Sequence, residues 1–293
     1  MERRTAEQFL ERFPGAVLVT VESAKGSTPR EAGAFMLVSE TAIYQTIGGG
    51  QLEYMAIDRA REVMRGGVRE DAMEIGLGPE IGQCCGGRVR LELRRIDKAL
   101  RQEIIAAEQR EFEALPHVYV FGAGHVGNAL CRALALLPVR TILVDTRRAE
   151  LDAAPEGVEK TLASVPESLV SQAPSGSAFL VLTHDHALDF LILNEALARS
   201  DAAYAGMIGS KSKRGTFSSW FKREGGDAAA LARLVCPLGG SAVKDSRPEV
   251  IAALTAAQVM TALHLDECAS AAREARQTAH NFGDSLLNSF KGG

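Results

Sequence analysis

Up to about Ile96, short apolar runs alternate with glycines, a pattern typical of β-strands joined by tight turns. One helix is predicted among them, from Gln51 to about Arg65, because its apolar residues recur at helical spacing. The predicted strands are Ala16 to Val21, Ala34 to Val38, Ala42 to Ile47 and Val89 to Leu93. The pattern predicts a small α+β domain over residues 1–97.

A charged stretch follows, with apolar residues Leu100 and Ile104 at helical spacing and Pro116 at its end. We predict a helical connector over residues 98–116, with the domain boundary inside it.

From His117 onward, predicted strands alternate with predicted helices, which favours a parallel sheet covered on both faces. The strands are Val118 to Phe121, Thr141 to Val144, Phe179 to Thr183 and Tyr204 to Ile208. The helices are His125 to Leu137, Leu188 to Arg199, Lys213 to Arg223 and Pro248 to about His264. We predict an α/β protein whose second domain, residues 117–264, is a doubly wound parallel sheet, followed by a C-terminal tail over 265–293.

Composition narrows the class of protein. The 293 residues are 46% hydrophobic, which suits two globular domains. The net charge of −4 gives no general attraction to nucleic acid. Acidic residues precede any apolar run at the start of the chain, and no later apolar run is long enough to cross a bilayer, which predicts a cytoplasmic protein. An odd number of cysteines, five, predicts reduced thiols.

Two adjacent thiols lie in a glycine-rich bend, Gly82-Gln83-Cys84-Cys85-Gly86-Gly87. The flanking glycines allow close approach of the backbone to a ligand, and thiolates are soft metal ligands and good nucleophiles. The alternatives are two buried small side chains or a strained vicinal disulfide. We favour a functional role for this cysteine bend.

A second glycine-rich phrase, Gly122-Ala123-Gly124-His125-Val126-Gly127, follows a predicted strand and opens a predicted helix. In this context G-x-G-x-x-G indicates a Rossmann-type dinucleotide site, and Asp145 has the spacing of a carboxylate that holds ribose hydroxyls. The glycines could instead serve only tight packing, and Arg147 and Arg148 could meet a phosphate. The phrase does not decide whether the cofactor is NAD(P) or another nucleotide.

Three further phrases follow later strands of the same domain. His184, Asp185 and His186 lie in Thr183-His184-Asp185-His186, where they could contact a ligand or a metal, although Asp185 could simply cap a helix. Ser210, Lys213 and Arg214 lie in Gly209-Ser210-Lys211-Ser212-Lys213-Arg214, which suits a phosphate or a solvated helix start. A third thiol, Cys236, is as consistent with burial as with activity.

The first domain has anion-friendly loops of its own. Gly48-Gly49-Gly50-Gln51-Leu52-Glu53 is a glycine-rich strand-to-helix turn, in which Glu53 could act only as a cap. Gly26-Ser27-Thr28-Pro29-Arg30 is a polar turn that carries a cation. If these loops meet the cysteine bend, one site would hold thiolates, free amides and a guanidinium.

As a set and in this order, the phrases resemble the XdhC/CoxI family of xanthine dehydrogenase accessory proteins. The phrases are Gly26 to Arg30, Ile47 to Glu53, Gly82 to Gly87, Gly122 to Gly127, Thr183 to His186, and Ile208-Gly209-Ser210 with Lys213-Arg214. The resemblance spans nearly the whole chain, and it departs at Gly240, where we expect a bulky aliphatic residue.

The resemblance implies an N-terminal XdhC/CoxI domain, a C-terminal Rossmann domain and a chaperone role for the molybdenum cofactor. Such proteins bind molybdopterin, hold it during sulfuration with a cysteine desulfurase and deliver it to the xanthine dehydrogenase apoenzyme. By matching position, Cys84 and Cys85 would lie at the molybdenum end, one of them as a transient metal ligand, while the other named residues of these phrases would bind the cofactor. The resemblance also implies a homodimer.

Two other classes remain as alternatives. The Gly122 to Gly127 phrase with Asp145 would suit a nicotinamide-dependent oxidoreductase. Cys84, Cys85, His184 and His186 together would suit a metal-binding module.

Overall fold

The computed structural model describes residues 5–78 and 86–266. The chain divides into two compact units at Glu113/Ala114. Gln83, Cys84 and Cys85 of the cysteine bend lie outside the described residues, as does the predicted tail beyond Asp266.

The N-terminal unit is built on an antiparallel sheet in the order β3-β2-β1-β5-β4. Its elements are α1 (Ala6–Arg12), β1 (Val17–Lys25), β2 (Phe35–Val38), β3 (Ile43–Gln45), α2 (Gly50–Gly66), β4 (Glu70–Gly76), β5 (Arg88–Arg95) and α3 (Lys98–Glu113). The sequence pattern did not predict β4, because Ile75 is the one buried residue of this strand and its other positions are half-buried or exposed.

Helices cover both faces of this sheet. Val17 and Val19 of β1 point toward α2, whereas Leu18 between them points to the opposite face, as the two-residue period of a strand requires. On that opposite face, α1 packs with Leu100 and Ile104 of α3. The stretch predicted as a connector is therefore a helix that completes the core of the first unit.

The C-terminal unit contains a parallel sheet of six described strands in the order β11-β10-β9-β6-β7-β8. Its strands are β6 (His117–Phe121), β7 (Arg140–Asp145), β8 (Glu159–Leu162), β9 (Ala178–Val181), β10 (Tyr204–Met207) and β11 (Leu234–Val235). Its helices are α4 (His125–Leu134), α5 (Arg148–Asp152), α6 (Ser168–Gln172), α7 (His186–Ala198), α8 (Lys211–Arg223), α9 (Ala228–Ala232) and α10 (Pro248–Asp266).

This strand order confirms the predicted Rossmann-like doubly wound fold. The chain reverses its direction across the sheet between β6 and β9, and ligands of such folds bind at the carboxyl ends of the strands beside that reversal. One face of the sheet packs on α4 and α10, and the other packs on α7 and α8. The carboxyl edge at β6 and β9 is thus the expected position of a site.

By length and composition, α10 is the one helix among the described residues that could cross a membrane. Its Ala252, Ala256, Val259 and Leu263 are buried in the core of the C-terminal unit. Core helices pass the same test, so α10 is compatible with a soluble protein.

Candidate functional site

The turn before α2 consists of three glycines with positive φ. The φ angles are +125° at Gly48, +75° at Gly49 and +66° at Gly50. Side chains disfavour this backbone region, so the turn depends on glycine. A Cβ added to Gly48 would lie 2.4 Å from Cβ of Pro29 and 3.5 Å from Cγ of Arg30. The turn therefore packs directly on the Gly26 to Arg30 phrase.

Glu53 closes this turn from the first turn of α2. One of its carboxylate oxygens accepts hydrogen bonds from Oγ1 of Thr46 and from the amides of Ile47 and Gly49, both at 3.2 Å. Glu53 thereby holds the turn in shape. The amides of the first helical turn, at Gly50 to Leu52, have no intrahelical acceptor and no side-chain cap.

The described end of the cysteine bend, Gly86-Gly87, joins the same group of loops. Leu77 exchanges two backbone hydrogen bonds of 2.8 Å with it, one from the Gly86 amide and one to the Gly87 carbonyl. Gly86 also forms a parallel bridge with Ser27, and a Cβ on Gly87 would lie 2.3 Å from the Ser27 carbonyl oxygen. The Gly26 to Arg30 phrase thus contacts both the Gly48 turn and the last residues of the bend.

Arg30 supplies the cation of this group. Its side chain is exposed, and the described residues offer its guanidinium no ion-pair partner. Its carbonyl accepts a 3.0 Å hydrogen bond from Oγ1 of Thr28, which fixes the backbone of the turn. Its Cγ lies at the Gly48 turn, so an exposed cation and the free amides of the next helix belong to neighbouring loops, a combination that favours an anion.

In the C-terminal unit, the three glycines of G-x-G-x-x-G have three different surroundings. A Cβ on Gly122 would lie 2.5 Å from the Leu182 carbonyl oxygen, and one on Gly127 would lie 1.9 Å from the Gly122 carbonyl oxygen. A Cβ on Gly124 would meet nothing within 4 Å. Gly122 and Gly127 therefore serve packing, while Gly124 opens the helix N-terminus to a ligand, as in dinucleotide sites.

Asp145 ends β7 beside this turn, and its carboxylate is already engaged. It accepts a 2.8 Å hydrogen bond from the Ala123 amide and pairs with Arg147, whose Nε lies 3.0 Å away. Burial by itself raises the pKa of Asp145, but the hydrogen bonds from Arg147 and from Ala123 together outweigh it, so this pKa lies below its usual value. Asp145 thus organises the glycine turn, and its predicted contact with ribose hydroxyls stays a prediction.

The Thr183 to His186 phrase lies at the carboxyl end of β9. Asp185 caps α7 by accepting hydrogen bonds from the amides of Ala187 at 2.8 Å and Leu188 at 3.4 Å. His184 and His186 are exposed, as is His125 at the start of α4. Thr183 and His184 line a narrow cleft together with Asp145. The cleft therefore lies between the ends of β6, β7 and β9.

An ion pair that sequence analysis missed lies beneath this phrase. Asp189 is fully buried on α7, and its carboxylate accepts hydrogen bonds from the amide and hydroxyl of Thr183 at 3.0 and 2.7 Å. Its other oxygen pairs with Nζ of Lys213 at 2.5 Å. An acid amid the apolar run around Phe190 is the signal that could have revealed this pair.

Ser210 and Arg214, for which the sequence left a phosphate site or a solvated helix start open, have internal partners. Ser210 caps α8 by accepting a 3.3 Å hydrogen bond from the Lys213 amide. Arg214 donates to the carbonyls of Leu234 at 3.0 Å and Cys236 at 3.2 Å. The phrase thus ties α8 to the end of β11 and leaves Lys211 exposed.

Burial disfavours the thiolate form of both cysteines in the described part of the chain. Burial raises the pKa of Cys131 to about 12. Burial also raises the pKa of the half-buried Cys236, although Arg214 and Lys213 oppose that rise. Over residues 5–78 and 86–266, no group of three or more His, Cys, Asp or Glu side chains could hold a metal ion.

Gly240, where the chain departs from the expected family pattern, has a φ of +75°. A bulky aliphatic side chain would be strained there. The backbone conformation of this loop therefore explains why residue 240 is a glycine.

The unequal surroundings of the glycines lead to a first prediction. Gly127→Ala should destabilise the protein by about 1–3 kcal/mol or more, since its Cβ would overlap a backbone oxygen. Gly124→Ala should cost less than about 1 kcal/mol, because the space is open and Gly124 has an ordinary φ. Urea denaturation followed by circular dichroism measures both, and equal losses would contradict the assigned roles.

The buried ion pair leads to a second prediction. Asp189→Ala should cost about 3–5 kcal/mol, because Lys213 would keep a buried charge without a partner. Asp189→Leu combined with Lys213→Met should recover most of that loss. As a matched control, Asp185→Ala removes only a helix cap and should cost about 0.5–2 kcal/mol. Denaturation midpoints compare the three, and a loss at position 189 no larger than at 185 would argue against a buried charge.

Known proteins resemble this chain in sequence and in fold. The chain is 24% identical over 261 residues to the uncharacterized protein YqeB of Escherichia coli (strain K12), an alignment that covers 84% of this chain. The same alignment covers 43% of YqeB, so the chain spans less than half of that relative. A crystal structure of a xanthine dehydrogenase from Bacillus halodurans has a TM-score of 0.71 at 18% identity, over 89% of this chain and 96% of the other. At that identity the likeness shows the fold alone.

Two family models match the chain in order. The model of the XdhC and CoxI family matches residues 11–76, within the N-terminal unit. The model of the XdhC Rossmann domain matches residues 118–259, within the C-terminal unit. With one model on each unit, the chain belongs to the XdhC/CoxI family.

Proposed function

We propose that this protein is an accessory factor that binds the molybdenum cofactor for xanthine dehydrogenase or a related molybdenum hydroxylase. It holds molybdopterin while the cofactor is sulfurated and then delivers it to the apoenzyme. Family membership supports an accessory role for a molybdenum enzyme in general. One observation carries the cofactor proposal: the Gly26 to Arg30 phrase contacts both the Gly48 turn and the Gly86-Gly87 end of the cysteine bend.

The donor types in this group of loops fit the chemistry of such a cofactor. A phosphate needs amides and a cation, which the first turn of α2 and Arg30 supply. The molybdenum and dithiolene sulfur are soft, and Cys84 and Cys85 are the soft donors next to Gly86 in the sequence. When bound, the cofactor would supply the metal that accepts the sulfur, and the protein would orient and shield it.

The partners of this proposal are a cysteine desulfurase as the sulfur source and the apoenzyme as the recipient. We place the protein in the cytoplasm as a homodimer. Because the desulfurase supplies the sulfur and the bound cofactor would accept it, no catalytic residue is assigned to this protein.

The cysteine bend gives a third prediction. Cys84→Ala combined with Cys85→Ala should abolish the copurification of molybdopterin, since both soft donors are removed. The measurement is the fluorescence of the oxidised pterin released from the purified protein. Cys236→Ala is the matched control, because that thiol is half-buried elsewhere and its loss should leave the pterin content unchanged. A double variant that keeps its pterin and still matures active xanthine dehydrogenase would overturn the assignment.

Arg30 gives a fourth prediction. Arg30→Ala should weaken pterin binding about tenfold or more, the loss expected for one charge-assisted hydrogen bond. Arg90→Ala is the control, because Arg90 is also exposed in this unit but pairs with Glu22 at 2.6 Å. Titration of apo-protein with molybdopterin measures both affinities, and equal affinities would place the phosphate elsewhere.

A nucleotide site in the C-terminal unit is the second candidate function. The open surroundings of Gly124 at the N-terminus of α4, beside the direction change of the sheet, favour it. The internal pairing of Asp145 with Arg147 leaves the usual ribose acceptor occupied. A nucleotide would therefore be held mainly through its phosphates.

Our fifth prediction separates nucleotide binding from redox catalysis. NADH and NADPH should bind without turnover of a carbonyl substrate, and Gly124→Val should weaken that binding about tenfold or more by blocking close approach of the phosphates. Gly215→Ala, at an open position on α8, is the control and should bind as the native protein does. Fluorescence titration and a turnover assay give the readouts. Tight binding with turnover would favour an oxidoreductase instead.

A further inference from the structure

One residue of the N-terminal unit has a backbone conformation that its side chain disfavours. Gln45, the last residue of β3, has a φ of +63°. Every other residue with a positive φ in the described part of the chain is a glycine. A left-handed backbone crowds the Cβ of an L-residue against a carbonyl oxygen, a clash that glycine avoids because it has no Cβ. Position 45 is therefore strained, and a glycine would relieve the strain.

The surrounding structure fixes this conformation from both sides. On the strand side, Gln45 pairs with Met36 of β2 in the antiparallel ladder. On the turn side, Oγ1 of Thr46 donates to the Glu53 carboxylate and accepts a 3.1 Å hydrogen bond from the Gly48 amide. Strained residues persist where neighbouring contacts over-determine them, and they cluster at ligand sites.

The side chain of Gln45 makes no polar contact that would offset the strain. It is exposed, and it forms no hydrogen bond or ion pair with the described residues. Its neighbours differ, since Tyr44 is buried on the face of the sheet that carries α1 and Ile47 is fully buried on the face that carries α2. A contact with a ligand outside the chain would explain why a polar side chain occupies this position.

Gln45 lies on the same face of the sheet as the glycine turn before α2. Directly paired residues of an antiparallel ladder share a face, and Met36, the partner of Gln45, is buried in the core that α2 covers. Gly48 follows three positions later, so the Cα atoms of Gln45 and Gly48 are at most about 11 Å apart. Gln45 is therefore a neighbour of the loops to which we assigned the cofactor.

The residues assigned so far match two parts of that cofactor. The first amides of α2 and Arg30 suit its phosphate, and the cysteine bend suits its molybdenum and sulfur. The pterin ring adds an amino group and a carbonyl, which are a hydrogen-bond donor and an acceptor. A glutamine amide also has a donor group and an acceptor, and it can bond to such a ring at two points, as glutamine does with adenine.

We propose that Gln45 is a specificity-determining residue whose amide recognises the hydrogen-bonding edge of the pterin ring. This inference rests on the proposed function, because it concerns the ring of the same cofactor at the same site. The strained position holds a long amide side chain where glycine would be more stable. The site thus selects a pterin and does not bind through the phosphate alone.

Two variants of Gln45 separate recognition from strain. Gln45→Gly should raise Tm by about 2 °C or more because the strain is removed, and it should weaken molybdopterin binding about fivefold or more because the amide is lost. Gln45→Met keeps the side-chain length and the strain, so it should weaken binding as much and leave Tm unchanged. Gln102→Met, at an exposed position on α3, is the control and should change neither. A Gln45→Gly protein that is no more stable, or that binds molybdopterin as the native protein does, overturns the proposal.

Inorganic phosphate distinguishes the ring from the phosphate end of the cofactor. Its inhibition constant against molybdopterin should be the same for the native protein and for Gln45→Met, because phosphate has no ring to recognise. A parallel loss of phosphate affinity would place Gln45 at the phosphate and would overturn the inference alone. Failure of the native protein to bind molybdopterin would instead overturn the proposed function, and this inference with it.

Discussion

Backbone packed directly against a neighbouring segment is the constraint on which both units depend. In the N-terminal unit, Gly48 lies against Pro29 and Gly87 lies against the Ser27 carbonyl. In the C-terminal unit, Gly127 lies against the Gly122 carbonyl. Even a methyl group would force these segments apart, because protein interiors are close-packed. The loops that we assign to ligand binding are therefore held by close packing at these glycines together with two carboxylates, Glu53 in the first unit and Asp145 in the second.

Much of the fold could be predicted from the sequence because its signals are local. The alternation of predicted strands with predicted helices after His117 predicted a doubly wound sheet, which the strand order confirmed. The apolar spacing from Gln51 to Arg65 predicted α2 within one residue at each end. β4 and β8 were missed because neither has a row of buried apolar residues, and pairing with neighbouring strands decides their conformation.

The hydrogen-bond and ion-pair partners of the candidate site residues were harder to predict from the sequence, because several of them lie far away along the chain. Sequence identified Lys213 as a cation after a strand, but its partner Asp189 lies 24 positions away on another helix. Likewise, Glu53 could be recognised as a first-turn acid, whereas its bonds to Thr46 and Gly49 appear only in the folded turn. In each case the charge was visible in the sequence, and what it binds was decided by the fold.

The pairing of Asp145 with Arg147 has a consequence for what the Rossmann crevice selects. The side chain of Arg147 is 39% exposed, and its guanidinium is held by two carboxylates: Nε lies 3.0 Å from Asp145 and Nη1 lies 3.2 Å from Glu150. Any polar group that reached this end of β7 would have to compete with ion pairs that are already formed. Because salt screens exposed ion pairs, that competition should ease as ionic strength rises.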